Sequence, residues 1–104
     1  MTEYCIIFTT ANDLNEALKI TDALLPLRFV ADVQMSDIKS AYWWQGEVKN
    51  KSEILLTIKT KTELFNQVAQ IIRKNHSYKV PQIIAIPIIN GTDSYLNWIK
   101  EETK

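Results

Sequence analysis

The sequence from Ser40 to Thr60, SAYWWQGEVKNKSEILLTIKT, decides the fold of this chain. It consists of two apolar runs separated by a polar segment, Gln45 to Ser52, which contains Gly46 and is typical of a turn. We therefore predict a β-hairpin. Both faces of this hairpin carry large apolar side chains, although an antiparallel pair in a small domain normally has one face in solvent.

The two faces of the hairpin follow from the alternation of side chains along a strand. On the first strand we expect Tyr42 and Trp44 on one face, together with Val48, and Trp43 on the other. The second strand divides into two sets, with Ile54, Leu56 and Ile58 on one face and Leu55 and Thr57 on the other. Burial of one aromatic side chain removes about 150–250 Å² from water, at about 25 cal/mol per Å². We therefore expect the second face to be covered, and another copy of the chain to cover it.

Length and composition are those of one globular domain spanning residues 1–104. Hydrophobic residues make up 46% and charged residues 23% of the chain, which is ordinary. Twelve basic residues balance twelve acidic ones, so we do not expect a nucleic-acid partner. No apolar run is long enough to span a bilayer, so no membrane partner is expected. The N-terminal MTEYCIIF lacks the basic flank and cleavage site of a signal peptide, which indicates a cytoplasmic location.

Cysteine and glycine are too few for several kinds of site. Cys5 is the single cysteine, which excludes an intrachain disulfide and a metal site with two cysteine ligands from one chain. Glycine occurs only at Gly46 and Gly91, which excludes a glycine-rich phosphate loop.

The N-terminal third predicts a strand and a helix. Glu3 to Thr10 is apolar on both faces and should lie centrally in a sheet. Asn12 or Asp13 then caps a helix, and Glu16 lies three residues after Asp13, as in a capping box. Pro26 ends this helix. Its predicted buried stripe consists of Leu14, Ala17, Leu18, Thr21, Leu24 and Leu25.

The hairpin should project from the body of the domain. A straight strand from Val30 to Val48 would span about 60 Å at about 3.3 Å per residue, whereas a domain of this size has a radius of gyration of about 13 Å. We expect a bend near Ser36 and Asp37 as well as a projecting arm.

The sequence after the hairpin predicts a second helix, a strand and a last helix. Thr60 and Glu63 form a second capping pair for a helix that reaches about Asn75, with Leu64, Phe65, Val68, Ile71 and Ile72 buried. Ile83 to Ile89 is a strand, and Pro87 within it should face an edge. Thr92 or Asp93 caps the last helix, which holds Tyr95, Leu96, Trp98 and Ile99.

The order of elements is therefore βαββαβ followed by a helix, an α+β arrangement of the ferredoxin-like type. In this arrangement two helices cover one face of a four-stranded sheet and leave the other face bare. Because the strands are apolar on both faces, the bare face should be buried between copies of the chain.

Five separated clusters of residues then point to a known family: Tyr42-Trp43-Trp44-Gln45-Gly46, Glu53, Ile58-Lys59-Thr60, His76-x-Tyr78-x-x-Pro81-x-Ile83 and Tyr95-Leu96-x-Trp98-Ile99. This set resembles the CutA divalent-cation tolerance proteins. The resemblance implies a ferredoxin-like homotrimer whose long hairpins pair between subunits, with an overall form similar to the nitrogen-regulatory signalling trimers. It also implies a role in metal tolerance, copper binding in some members, and no established enzymatic activity.

The sequence departs from the family at the residues that bear on metal binding. Family members often carry Ala-Ala-Cys-Val after the first helix, where this chain has Asp32 in place of the cysteine. The soft ligands that copper prefers are few: His76, Cys5, Met1 and Met35. Asp32 and His76 are the candidate ligands for a divalent ion such as copper, and we expect weaker copper binding than in cysteine-bearing relatives. Three copies of a residue at a trimer axis could still form a site.

Two interpretations remain open for the polar residues around the hairpin. His76 is either a histidine bonded to backbone near a helix end or a metal ligand or acid–base group. Glu53 and Lys59 share a face of the second strand and form either a polar margin with intersubunit ion pairs or part of a cleft. The candidate intersubunit cleft consists of Tyr42, Trp44, Glu53, Lys59, His76 and Tyr78. Trp43 and Trp98 are predicted to pack in the trimer.

Other functions with this topology need residues that the chain lacks. An acylphosphatase-like enzyme needs a glycine-rich loop with an arginine near the first strand, and a copper chaperone needs two cysteines there. An RNA-recognition module needs aromatic residues on a basic strand. We expect a non-enzymatic homotrimer for divalent metal ion tolerance or response, or alternatively a signalling-type trimer that binds a small molecule or partner protein in its intersubunit clefts.

Overall fold

The structure is a computed structural model that describes residues 2–104. Its elements follow in the order β1 (Tyr4–Ala11), α1 (Leu14–Leu24), β2 (Asp32–Trp44), β3 (Glu47–Lys61), α2 (Phe65–Lys74), β4 (Ile83–Pro87) and α3 (Asp93–Glu102). Short 3-10 turns at Leu25–Leu27 and Thr62–Leu64 flank α1 and α2. The predicted α+β order βαββαβ with an additional C-terminal helix is confirmed.

The four strands form one antiparallel sheet in the order β2-β3-β1-β4. The central position predicted for the first strand is confirmed, because β1 pairs with both β3 and β4. Pro87 lies in the edge strand β4, as expected. The strand ends there and not at Ile89, although the amide of Ile88 still donates to the carbonyl of Tyr4 at 3.0 Å.

The tip of the hairpin is a two-residue turn. Gln45 and Gly46 both have positive φ angles, 50° and 80°, as in the type I′ turn that suits the twist of a hairpin. The longer turn predicted from Gln45 to Ser52 is wrong, because β3 already begins at Glu47. The polar residues of this segment belong to a strand with solvent on both sides.

The short turn also changes which residues share a face of the hairpin. Trp43 lies opposite Val48 in the ladder, and Tyr42 lies opposite Lys49. Since opposed residues point to the same face, Val48 shares the face of Trp43. The prediction that Val48 lies with Tyr42 and Trp44 is therefore wrong.

The hairpin projects beyond the rest of the sheet. β1 pairs with β3 only from Ile54 to Lys61, so residues 38–53, here called the arm, have no third strand beside them. At about 3.3 Å per residue β2 spans about 43 Å, nearly the whole 44 Å length of the molecule. The ladder runs through Ser36 and Asp37 without a break in register, so no bulge marks the bend expected there.

The core lies between one face of the sheet and the helices α1 and α2. It is formed by Cys5, Ile7, Ala11, Leu56 and Ile58 from the sheet and by Ala17, Ile20, Leu24, Val68 and Ile72 from the helices. The predicted stripe of α1 is partly wrong, because Leu14, Leu18 and Leu25 are more than two-fifths exposed whereas Ile20 is buried. The helix is rotated so that residues 17, 20, 21 and 24 face the sheet.

The helix caps agree with the sequence in α1 and, by position, in α3, where Thr92 is the N-cap residue although its side chain makes no capping hydrogen bond. Asp13 accepts a hydrogen bond from the Glu16 amide at 2.9 Å, whereas the Glu16 carboxylate accepts from the Asn12 amide and not from that of Asp13. The predicted Thr60–Glu63 cap is wrong. Thr60 lies in β3 and its hydroxyl donates to the carbonyl of Phe29, so it ties β3 to the chain before β2.

The opposite face of the sheet, here called the open face, is apolar and only partly covered. Ile84 and Ile86 remain 48% and 46% exposed. The helix α3 packs against β3 at one end of this face, where Lys61 donates to the carbonyl of Thr103 and Ile99 is buried. The alternation along paired strands places on the open face Ile6, Phe8, Leu55, Ile84 and Ile86.

The turn at the arm tip can be tested with two substitutions of opposite sign. Gly46→Ala should reduce the free energy of unfolding by about 1 kcal/mol, because φ is +80° while an added Cβ meets no atom within 4 Å. Gln45→Gly should be neutral or stabilising by up to about 1 kcal/mol, because Gln45 also has positive φ. Urea unfolding of both variants measures the difference, and equal destabilisation by the two would contradict the turn assignment.

Candidate functional site at the base of the arm

Glu53 and Tyr78 form the polar centre of the region where the arm leaves the body. The Tyr78 hydroxyl donates to the Glu53 carboxylate at 2.7 Å, and Glu53 is only 6% exposed. Burial and the hydrogen bond to Glu53 raise the pKa of Tyr78 above its ordinary value. The phenol therefore stays neutral and remains a donor to the carboxylate.

His76 contacts Tyr78, and both of its ring nitrogens have hydrogen-bond partners. Nε2 is 2.6 Å from the carbonyl oxygen of Thr10, and Nδ1 accepts the backbone amide of Tyr78 at 3.1 Å. Because a carbonyl only accepts, Nε2 carries the hydrogen and the ring is the neutral tautomer. The side chain is fully buried, and its ring centroid lies 4.7 Å from that of Tyr78.

Glu16 ties the start of α1 to the connector that carries His76. Its carboxylate accepts the backbone amides of Asn12 and Ser77, both at 2.9 Å, and lies 3.6 Å from Nδ1 of His76. Burial opposes ionisation, but these hydrogen bonds outweigh it and lower the pKa of Glu16. The contacts hold the connector, and with it Tyr78, against the body of the domain.

A cavity of about 670 Å³ lies beside the Glu53–Tyr78 pair. Four of the six residues predicted for the cleft line it, and they are Tyr42, Trp44, Glu53 and Tyr78. Tyr42 and Trp44 are each more than one-third exposed. The volume lies within the range of about 300–1,000 Å³ that is usual for small-molecule sites.

Lys59, which was also predicted for the cleft, does not line this cavity. It is six residues from Glu53 along β3, which is about 20 Å in a strand. Its ammonium donates to Gln34 at 2.6 Å and lies 3.4 Å from Oδ1 of Asp32. Burial and the neighbouring Asp32 raise the pKa of Tyr95, so Asp32 is placed between Lys59 and α3.

The residues predicted to bind metal or to pack in the trimer differ in their contacts and in their burial. Asp32 is paired with Lys59, and among residues 2–104 its Oδ1 receives no hydrogen bond. Cys5 is buried, and Met1 lies outside the described residues. Within the described chain no three His, Cys, Asp or Glu side chains are grouped so that they could hold a metal ion. Trp43 is 74% exposed and Trp98 40%.

Known proteins resemble this chain in sequence and in structure. Residues 5–102 match the family described as CutA1 divalent ion tolerance protein. The chain belongs to this family. It is 39% identical over 95 residues to the divalent-cation tolerance protein CutA of Archaeoglobus fulgidus, covering 91% of this chain and 93% of that protein.

A plant relative and a solved structure extend the comparison. The chain is 34% identical to the chloroplastic protein CutA of Arabidopsis thaliana, over 95% of this chain and 55% of that protein. The structure of the periplasmic divalent cation tolerance protein CutA from Archaeoglobus fulgidus superposes with a TM-score of 0.95 at 37% identity, covering 97% and 99% of the two chains.

These matches confirm the family and fold expected from the sequence. They leave the cytoplasmic location a prediction, since those two relatives are named periplasmic and chloroplastic. Among residues 2–104, no helix has the length and apolar character needed to cross a membrane.

Sequence reasoning missed several residues of this CutA-family site. Glu16 was assigned only to a helix cap, although its second carboxylate contact, with Ser77, spans 61 positions. Lys39 and Lys79 also line the cavity, together with Lys51. Lys79 follows Tyr78 directly, and this adjacency was the one signal that could have included it. The other contacts depend on how the connector folds back on β3.

Glu16→Gln should lower the free energy of unfolding by about 1 kcal/mol at pH 7, because one amide oxygen replaces a carboxylate that accepts two backbone amides. The pKa of Glu16 is lower in the folded chain, so its stabilisation is present above the unfolded value of about 4.3 and is lost as the pH falls through the folded value. The difference between Glu16→Gln and wild type should therefore shrink below about pH 4.

Urea unfolding at several pH values measures this difference. The control is Glu63→Gln, which removes the same charge from an exposed position and should leave stability unchanged. A Glu16→Gln deficit that stays constant down to pH 3 would contradict the assigned role.

Proposed function

We propose that this protein is a non-enzymatic homotrimer that acts in tolerance of, or response to, divalent metal ions, copper among them. Family membership supports the metal role, because the relatives carry the name divalent-cation tolerance protein. That name describes a tolerance protein and not an enzyme. The observation that carries the assembly part of the proposal is the apolar open face of the sheet, which the chain's own helices leave exposed.

The open face supports association on energetic grounds. Ile84 and Ile86 remain about half exposed, beside Ile6, Phe8 and Leu55 of the same face. Full burial of such a side chain stabilises by about 1.5–3 kcal/mol, so burial of the half that is still exposed contributes about 1 kcal/mol each. Several together supply the free energy that association of copies requires.

The arm supports association through its backbone. β2 is an edge strand, and β3 has no neighbour on its inner side from Glu47 to Glu53. Such unpaired edges are ready to pair with another chain. Trp43 and Val48, which share a face of the arm, are 74% and 51% exposed and would be buried by a copy that receives the arm.

The metal part of the proposal does not rest on a site within one chain. His76 already uses both ring nitrogens, and the ammonium of Lys59 beside Asp32 repels a cation. As arranged in a single chain these two residues do not fit a copper site, and their role as ligands stays a prediction. A tight site would need residues from more than one copy.

The second candidate is a signalling-type trimer that binds a small molecule or partner protein in intersubunit clefts. The cavity beside Glu53 and Tyr78 favours it, because it has the volume of a ligand site and lies next to the open face. The two candidates share the trimer and differ in what the cavity receives.

Assembly can be tested by sedimentation at micromolar concentration. Trp43→Ala, Trp44→Ala and Ile84→Lys should each shift the protein from trimer toward lower mass, because each removes apolar area or adds a charge at a proposed contact. Leu18→Ala is the matched control, since it truncates an exposed apolar residue on α1. Trimers unchanged in all three variants would remove the argument.

The physiological role can be tested in cells of the source organism. A strain without the gene should grow more slowly than its parent when copper or another divalent metal is raised. The wild-type gene should restore growth, and the gene carrying Ile84→Lys should restore it less because the trimer is impaired. Equal growth of the deletion strain and its parent across the metal series would contradict a role in tolerance.

A further inference from the structure

The cavity at the base of the arm differs in charge from the rest of the molecule. Three lysines line it, Lys39, Lys51 and Lys79, against the single carboxylate of Glu53. The whole chain carries equal numbers of basic and acidic residues. The positive character is therefore local to the cavity and not a general property of the surface.

The one carboxylate of the cavity is set back from its opening. Glu53 is 6% exposed and is covered by the donating hydroxyl of Tyr78. Lys39 and Lys79 are exposed. The carboxylate of Glu53 is therefore less accessible to an incoming group than these lysines.

Lys51 is held in place by an aromatic ring. Its Nζ lies 4.4 Å from the centroid of Tyr78, within the range of a cation–π contact. The His76 and Glu16 contacts fix Tyr78 in turn. One cation is thereby positioned over the cavity before any ligand arrives, which lowers the entropy lost on binding.

Two aromatic side chains complete the cavity. Tyr42 and Trp44 line it from the same face of the arm, and each is more than one-third exposed. Flat apolar groups stack on such rings. The cavity thus combines aromatic surface with a group of cations.

We infer that this cavity binds a small organic anion, in which a carboxylate, sulfonate or phosphate is attached to a flat apolar body. The anionic group contacts Lys51 and Lys79, and the body packs on Tyr42 and Trp44, whereas the alternation along β2 directs Lys39 to the other face of the arm. The inference deepens the second candidate function and rests on the proposed trimer in one respect, since the open side of the cavity is closed by a neighbouring copy.

The test compares two probes that share one aromatic body and carry opposite charge. Isothermal titration calorimetry with indole-3-acetate should show saturable binding, and tryptamine, its cationic counterpart, should bind at least about ten-fold more weakly. Equal affinity for the two probes, or no saturable binding of indole-3-acetate at millimolar concentration, would overturn the inference.

Variants locate the binding. Lys51→Gln and Lys79→Gln should each weaken indole-3-acetate binding about two- to five-fold, the range of exposed ion pairs. Glu53→Gln should strengthen it, because the variant removes the opposing charge and keeps an acceptor for Tyr78. Lys19→Gln removes the same charge from α1 and should have no effect. A loss with Lys19→Gln equal to that of the cavity variants would overturn the inference.

Sedimentation of the same samples separates this inference from the proposed assembly. Trimers that do not bind indole-3-acetate would overturn the anion site and leave the trimer standing. A monomer that binds the probe with the expected lysine dependence would support the site and contradict the trimer. A monomer without binding would contradict both.

Discussion

The sheet has two apolar faces, and the helices α1 and α2 cover only one of them. The arm and the open face both follow from this imbalance. The covered face holds the core, where Ile7, Leu56 and Ile58 are fully buried. The open face keeps side chains such as Ile84 and Ile86 in solvent, and α3 covers only the end near Lys61. Because burial of apolar area is favourable and non-directional, a surface of this kind favours contact with further copies of the chain.

The arm extends the same imbalance beyond the body of the domain. The type I′ turn at Gln45 and Gly46 allows β2 and β3 to pair to their very ends, so the tip carries Trp43 and Val48 on one face and Trp44 on the other. At its base, the contacts of Glu16, His76 and Tyr78 connect the arm to α1 and β1. The contacts of His76 and Tyr78 are partly buried, and satisfied polar networks of this kind favour a single arrangement. These contacts line the cavity on the side of the body, where Tyr78 and Glu53 lie.

Much of the fold could be predicted from the sequence because it depends on local periodicity. Alternating and continuous apolar runs located β1, β3 and β4, and the position of Asp13 located the start of α1. The errors arose where a local rule met a tertiary contact. Thr60 resembles a helix cap, but its hydroxyl bonds to Phe29 across the sheet. The polar residues after Gly46 resemble a turn, yet they pair with β2 because a strand in solvent accepts polar side chains on both faces.

For the site, the sequence by itself determined the chemical types of the residues and the order in which they occur, and the family match to CutA1 followed from that order. It also determined that the sheet would be apolar on both faces, since that property depends only on alternation along each strand. Only the tertiary structure decided that His76 uses both ring nitrogens on backbone groups and that Lys79 lines the same cavity as Lys51. These facts depend on how the connector after α2 folds back on β3, and contacts between residues tens of positions apart leave no periodic signal in a sequence.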